Sequence, residues 1–461
     1  MRVVLGRSGT VGFPLWRLLV VGLGTLVVPL DSAVNVDFPS IVRRFDLPIP
    51  AIQWIVISYV LTQTSLLLSF GRIGDMLGYR RVFLAGTGWS TLAFLACALA
   101  PSYPWLLAGR VAQGIGAGLI LSCGPALATS LFPEHQRARI LGLYTMMFGV
   151  GGALGPSVFG LLVERFGWSA VFSFRAPIAA LAFLLAWLLP ASVRVPRAEK
   201  FDTAGGVFLA VGLSFGLLAL NQIRQAGENP WPLVGCVAAC IAGFALFVRQ
   251  ERGCARPIID LGYFRSIDFT AINLMHALIN LAAFSIMLLA PFYLSRISGL
   301  SVPVGGLVLA VSPVGIILAA PLAGRLAGNR SPRAVALAGT ALSGVGLVGI
   351  SFAGMDTDIT LLAASMFVQG FGVGLFQVAY FDIVTSTIPL RDRGVAGALG
   401  MATRTIGTVT GATVLFMIFQ TLQVGSNLPD NDAFLAAFQG TFRIAACIPL
   451  VLFLVAVTRW R

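Results

Sequence analysis

Charged side chains are scarce in this chain. Asp, Glu, Lys and Arg make up 11% of its 461 residues, whereas soluble domains average about 25%. Hydrophobic residues make up 57%, and the mean hydropathy is +0.90. This composition excludes an ordinary soluble domain and predicts an all-α integral membrane protein.

Signatures of catalysis are also lacking. The sequence contains no P-loop, no Cys/His metal-ligand grouping and no convincing nucleophile–base signature. Its six cysteines fall mostly inside apolar runs, where packing explains them best. The sequence therefore gives no support for an enzyme or an ATP-driven pump, and we predict neither a cofactor nor a metal site.

Long apolar runs fill the chain instead. A helix that crosses the ~30 Å hydrocarbon core needs about 20 apolar residues. Fourteen runs approach this length, and the first is too long, and too acidic at Asp31 and Asp37, for a cleaved signal. The predicted spans are 15–41, 51–70, 82–101, 104–131, 138–163, 168–190, 204–223, 231–249, 268–294, 302–325, 333–354, 358–385, 394–422 and 439–458.

Arginine sets the predicted orientation. Basic residues in short loops favour the cytoplasmic side, and most arginines follow even-numbered spans, for example Arg72, Arg137 and Arg393. Both termini are therefore expected in the cytoplasm. The net charge of +13 is scattered over many loops, which disfavours a nucleic-acid interface.

An internal repeat divides the chain. The stretch VAQGIGAGL at 111–119 returns as FVQGFGVGL at 367–375, and Gly71-Arg72 returns as Gly324-Arg325. Two six-helix bundles, residues 1–190 and 268–461, are predicted. Residues 191–267 would form a linker with two inserted membrane helices and a cytoplasmic loop, and parallel repeats of this kind are typical of transporters.

Two glycine-rich stretches stand out. In GRIGDMLGYRR, residues 71–81, glycines permit a close turn, and Asp75 could bind the N-terminus of a neighbouring helix. The alternative is that these charges only fix topology. In GVGGALGPSVFG, residues 149–160, glycines and Pro156 permit close packing and bending.

These two stretches, with LLAGRVAQGIGAG at 106–118 and LDSAVNVDFPSI at 30–41, resemble signatures of the major facilitator superfamily, specifically its fourteen-span drug:proton antiporter branch. The resemblance implies the major facilitator fold in a bacterial inner membrane. It also implies proton-coupled efflux of amphipathic drugs or small metabolites, with lipid, substrate and protons as partners; accessory efflux proteins are not indicated. The residues it assigns to a gating loop and an antiporter-type span are Gly71, Asp75, Gly78, Arg80, Arg81, Gly151, Gly155, Pro156 and Gly160.

Buried charges are the candidates for proton coupling, because a charge inside a span is costly and usually functional. Asp31, four residues before Asn35, could titrate, receive a cationic substrate, or pair permanently with an arginine. Arg110 could pair with an acid, act as a fixed positive charge, or clamp backbone carbonyls.

Other charges and polar faces complete the predicted site. We expect Asp37 and Arg175 to pair at the outer side, and Asp382 to be the nearest acidic partner of the buried Arg404. His276 could line a cavity or make an interhelical hydrogen bond. An uncoupled facilitator or a membrane receptor is the alternative function. The substrate-cavity candidates are Asn35, Tyr59, Gln63, Gln113, Asn273, His276, Asn280, Gln369 and Gln377.

Overall fold

The described part of the protein is helical. In a computed structural model it comprises residues 15–36, 38–48, 51–190, 200–223, 227, 229–329, 331–425 and 429–459. Asp37 lies outside these residues, and the side chains of Asn35, Pro156 and Gly160 are not described. Turns and short 3-10 segments connect the helices.

The first predicted span is broken. Helix α1 ends at Leu26, and a 3-10 turn, Pro29–Ser32, precedes two short helices. Asp31 therefore lies in a 3-10 turn and not in a continuous α-helix, and its alignment with Asn35, whose side chain is not described, stays a prediction. The helices up to the sixth predicted span are α1 (Leu15–Leu26), α2 (Ala33–Val36), α3 (Phe38–Phe45), α4 (Ile52–Leu77), α5 (Tyr79–Ala98), α6 (Tyr103–Ser130), α7 (Arg137–Leu154), α8 (Gly160–Phe166), α9 (Ala170–Ser173) and α10 (Arg175–Ala186).

The rest of the described chain is built from long helices. Of the described residues, twelve helical stretches are long and apolar enough to cross a membrane. The predicted count of fourteen is therefore not confirmed. The remaining helices are α11 (Thr203–Gln222), α12 (Trp231–Gly253), α13 (Ile267–Arg296), α14 (Val302–Asn329), α15 (Pro332–Ile350), α16 (Ile359–Thr387), α17 (Arg393–Val424) and α18 (Asp430–Arg459).

The two predicted spans outside this set, 138–163 and 168–190, consist of shorter pieces. A π-helical segment, Gly155–Phe159, separates α7 from α8. Such bulges occur where the regular hydrogen-bond ladder is disturbed, and Pro156 supplies no backbone donor. The α10 helix has 12 residues, or about 18 Å, which is shorter than the ~30 Å hydrocarbon core.

Helices from the two ends of the sequence pack closely against each other. A Cβ added at Gly71 in α4 would lie 2.7 Å from the carbonyl oxygen of Gly394 in α17. A Cβ at Gly324 in α14 would lie 2.7 Å from the carbonyl oxygen of Ala138 in α7. Small residues at these crossings let the backbones touch. One apolar cluster continues across both contacts.

Helices α11 and α12 form a hairpin on the outside of this assembly. The α11 helix packs along α4, where a Cβ at Gly206 would lie 3.2 Å from the Oγ of Ser69. Most of α12 is exposed, but Glu251 near its end is buried and accepts the backbone N–H of Ile258 at 3.1 Å. This bond folds the following loop back toward α4.

Candidate functional site

The break after α1 presents Asp31 to the interior. Pro29 begins the 3-10 turn, and the N–H of Asp31 donates to the carbonyl of Val28 at 3.0 Å. The side chain of Asp31 is 14% exposed. Interrupted membrane helices of this kind often carry the binding residues of transporters.

Arg110, in the first third of α6, binds both oxygens of Asp31. Its Nη1 and Nη2 donate to Oδ1 and Oδ2 at 2.7 and 2.8 Å. Its Nε donates to the carbonyl of Ile55 at 2.9 Å, and its guanidinium lies 4.4 Å from the ring centre of Tyr59. Two of the expected roles, ion pair and backbone clamp, are thus combined in one side chain.

Arg175, the first residue of α10, binds the same carboxylate. Its Nη1 lies 2.7 Å from Oδ1 of Asp31, and its Nη2 donates to the carbonyl of Val27 at 3.0 Å. The guanidinium lies 4.3 Å from the ring centre of Phe94. The expected partner, Asp37, is outside the described residues, so the Asp37–Arg175 pair stays a prediction.

Gln113 completes this group, which we call the Asp31 cluster (Asp31, Arg110, Gln113 and Arg175). Its Nε2 donates to Oδ1 of Asp31 at 2.7 Å, and its Oε1 accepts from Arg110 at 2.7 Å. Both arginines are 0% exposed. With Asp31 ionised the cluster carries a net charge of +1, and neutralising Asp31 would leave two buried guanidiniums without an acid.

Glycines let the antiporter-type stretch pack against this break. A Cβ added at Gly151 would lie 2.6 Å from the carbonyl oxygen of Leu26, and one at Gly155 would collide with the Oγ of Ser32. A larger residue at either position would displace the segment that carries Asp31. The close approach predicted from the sequence is present at these two glycines.

The charged stretch 71–81 lies where α4 meets α17. Its Asp75 accepts the backbone N–H groups of Gly394 at 2.8 Å and Val395 at 3.1 Å, and the hydroxyl of Tyr79 at 2.7 Å. Gly394 and Val395 belong to the first turn of α17, whose own N-cap residue, Asp392, makes no capping bond. Asp75 thus supplies that cap from another part of the chain.

The turn of this stretch is a single residue. Gly78 connects α4 to α5 with φ +95°, a conformation that favours glycine. Arg80 donates from Nε to the carbonyl of Ala186 at 3.2 Å, at the end of α10. Arg81 is exposed.

Three ion pairs also join the part of the chain up to residue 137 to residues 382–393. Arg72 binds Asp392 at 3.0 Å, and Arg137 binds Asp382 at 2.8 Å. The guanidinium of Arg393 donates to both oxygens of Glu134, at 2.6 and 2.8 Å. Glu134 also pairs with Arg137. We call Asp75 and these three pairs the gate contacts.

The hydrogen bond from Arg393 lowers the pKa of Glu134 below its ordinary value, because it stabilises the carboxylate. Glu134 is exposed, so this electrostatic gain is screened by solvent.

Most polar candidates after residue 267 have hydrogen-bond partners within the protein. His276 stacks on Tyr380 at 3.8 Å, and its Nδ1 lies 2.9 Å from the Oγ1 of Thr403. The Oδ1 of Asn273 accepts the Tyr380 hydroxyl at 2.7 Å. The interhelical role left open for His276 is therefore the one observed. Asn280 bonds the carbonyl of His276, Gln369 bonds Ser312, and the other buried candidates are Gln63 and Gln377.

The model described as Major Facilitator Superfamily matches residues 21–249 and 272–461. The chain belongs to the Major Facilitator Superfamily. It is a multi-pass membrane transporter, and the proteins of this superfamily are not enzymes.

Three similar proteins illustrate the relationship. The riboflavin transporter RibZ of Clostridioides difficile is 26% identical over 94% of this transporter and 94% of the relative. The multidrug resistance protein Stp of Mycobacterium tuberculosis is 30% identical over 87% of this transporter and 75% of the relative. The crystal structure of the human organic anion transporter MFSD10 superposes with a TM-score of 0.70 at 16% identity, covering 96% and 99% of the two chains, and supports the fold.

Arg404 of the transporter does not have the partner expected from the sequence. Asp382 binds Arg137, so the Asp382–Arg404 pairing is wrong. The guanidinium of Arg404 lies 4.0 Å from the ring centre of Phe148, on α7. No carboxylate of the described residues lies within ion-pair distance of it.

Proposed function

We propose that this transporter exports amphipathic small molecules in exchange for protons, by alternating access between its two halves. The observation that carries the proposal is the Asp31 cluster, because a buried acid shared by two arginines is a costly arrangement that packing alone does not require. The multidrug resistance protein and the riboflavin transporter among its relatives support a small organic substrate.

The geometry suggests how a proton would act. Protonated Asp31 would no longer offset Arg110 and Arg175, so at least one guanidinium would have to withdraw from the carboxyl group. The broken segment after α1 can take up such a shift, because it lacks a continuous helical ladder. Proton uptake would thus change the packing between α1, α6 and α10.

The gate contacts would close one end of the pathway. They join residues 72–137 to residues 382–395 through backbone caps and ion pairs. Opening this end requires all of them to separate, and their formation favours the opposite access state.

The finer topology follows the arginine distribution. We propose fourteen spans in a bacterial inner membrane, with both termini and the gate contacts in the cytoplasm. The six-helix halves would be 1–190 and 268–461, with α11 and α12 inserted between them. Residues 137–166 and 170–186 would cross the membrane as the two interrupted spans.

Proteoliposome transport tests the proposal. Efflux of a panel of amphipathic dyes would be recorded with and without an imposed pH gradient, for the wild type, Asp31→Asn and Asp268→Asn. Asp268 is a matched control because its carboxylate pairs with Arg333 and Arg459 at exposed positions. We expect the gradient to accelerate efflux in the wild type and in the control, and Asp31→Asn to lose that acceleration. An efflux rate that changes neither with the pH gradient nor on Asp31→Asn would refute proton exchange through Asp31.

The bonding of the Asp31 cluster also supports a second function. Four hydrogen bonds could hold Asp31 ionised through the whole cycle, as in an uncoupled facilitator. Flux that follows only the substrate gradient would favour the facilitator. Binding without flux would favour a receptor.

A further inference from the structure

Among the described residues, the charges inside this transporter are unbalanced. The Asp31 cluster contains one acid and two arginines, and Arg404 adds a third arginine. The nearest alternatives are already used: Asp75 caps α17, Asp382 binds Arg137, and Glu251 bonds the backbone of Ile258. Of the described residues, none offers Arg404 a carboxylate.

Arg404 lies at the contact between α17 and α7, next to the segment that carries Asp31. Its guanidinium covers Phe148, and the adjacent residue Met147 touches α1 at Gly22. Gly155, which packs on the turn of Asp31, is seven residues beyond Phe148, or about 10 Å along a helix. Arg404 is thus about two helical turns from the level of the Asp31 cluster.

A partly buried guanidinium without an acid has lost water and gained little in return. Its stacking on an aromatic ring recovers only part of that cost. A carboxylate would satisfy it best, because the planar fork of donors matches two carboxylate oxygens. Phe148 is only partly buried, so its ring can also contact an aromatic group that lies beside Arg404.

We propose that the transported molecule carries an acidic group, a carboxylate or an acidic phenol, which binds Arg404 while its rings pack against Phe148. This inference rests on the proposed export function and names its substrate class. The excess of positive charge disfavours permanent cations at the same place. The transporter should therefore rank amphipathic anions above neutral and cationic analogues.

Binding to the purified transporter in detergent tests this ranking without any gradient. The probes are naphthalene-1-acetate, its methyl ester and the naphthylmethyl trimethylammonium ion, with the matching anthracene series, titrated by calorimetry. We expect the carboxylate to bind about tenfold more tightly than the ester, a difference of about 1.4 kcal/mol. Arg404→Gln should remove this preference and leave ester binding unchanged, and Arg404→Lys should keep part of it.

The control is Arg443→Gln, which removes an exposed arginine from α18. It should leave the preference intact. Measurements on the wild type are enough to overturn the proposal: it fails if the carboxylate and the ester bind equally, or if the cation binds more tightly than the carboxylate. This test does not depend on whether the variants fold. An unchanged preference in folded Arg404→Gln also overturns it. Loss of gradient-driven efflux together with a retained carboxylate preference would instead refute proton exchange and support the substrate class.

Discussion

Asp75→Asn should shift the balance between the two access states. The carboxylate of Asp75 accepts two backbone N–H groups from the first turn of α17, at 2.8 and 3.1 Å. Asparagine keeps one acceptor oxygen but loses the charge that favours a helix N-terminus. The loss of one of the two backbone hydrogen bonds costs about 1 kcal/mol, and the lost charge costs about 0.3–1 kcal/mol. The total of about 1–2 kcal/mol would lower the ratio of closed to open gate by about five- to thirty-fold.

Electron–electron distance measurements can report this ratio. Spin labels at Leu77→Cys and Leu390→Cys, in a background without the native cysteines, would lie on opposite sides of the gate contacts, at exposed positions. We expect Asp75→Asn to increase the fraction of long distances and to leave the substrate ranking unchanged.

The matched control for this change is Asp358→Asn. Asp358 caps α16 by accepting the N–H of Thr360 at 2.9 Å, within one part of the chain. It should leave the distance distribution as in the wild type. The reasoning is refuted if Asp75→Asn leaves that distribution unchanged, or if the substrate ranking changes while the distances do not.

Three further changes address the packing, the ion pairs and the Asp31 cluster. Gly71→Ala should open the gate, because its Cβ would crowd the backbone of α17 at a cost of about 1–3 kcal/mol; Gly328→Ala, with open space around it, should not. The bond to Arg393 lowers the pKa of Glu134, so it stabilises the closed gate only while Glu134 is ionised. This stabilisation is complete above the ordinary carboxyl pKa of about 4.3. It is lost as the pH falls through the lowered pKa of Glu134 in the folded protein. The difference in melting temperature between wild type and Glu134→Gln should therefore be constant from pH 8 to 6 and vanish in acid. Arg175→Lys should reduce gradient-driven efflux about tenfold, because one ammonium cannot reach both Asp31 and Val27 as the guanidinium does.

Each of these changes has a result that would contradict it. If the gate is closed to the same extent in Gly71→Ala and Gly328→Ala, crowding of α17 by a Cβ at position 71 does not open it. A melting difference for Glu134→Gln that grows in acid would reverse the sign of its linkage. Full efflux by Arg175→Lys would show that only the positive charge at this position matters.

The sequence predicted the family, the helix cap made by Asp75 and the pairing of Arg110 with an acid for identifiable reasons. Apolar runs and loop arginines are local patterns, and the ordered glycine-rich signatures extend over most of the chain. The sequence predicts the cap made by Asp75 because the helix macrodipole favours an anion at a helix N-terminus. The acids Asp392 and Glu134 were missed, although both lie in loops whose Pro and Arg residues repeat between the halves.

The partners of Arg175 and Asp382 could not be predicted from the sequence in the same way. Arg175 was recognised as an unusual charge, but its bond to Asp31 depends on the break after α1, which hydropathy does not reveal. Asp382 was assigned to Arg404 because both lie in the same half, whereas the observed bond crosses to Arg137. A prediction that pairs charges only within one half of the chain fails where an ion pair joins the two halves, as that of Asp382 and Arg137 does.

Gly78 is the only residue between α4 and α5, so the signature stretch, residues 71–81, connects the two helices without a flexible loop. Helices α4 and α5 meet there with no intervening loop, and Tyr79 at the start of α5 bonds Asp75, so we expect a displacement of Asp75 to move Arg80 as well. Arg80 donates to the carbonyl of Ala186 in the last turn of α10. The first residue of that helix, Arg175, lies about 18 Å away along the helix axis and binds Asp31. The α10 helix therefore contacts Arg80 of the signature stretch at one end and the shared carboxylate of Asp31 at the other. We expect a displacement at either end of this helix to reach the other end.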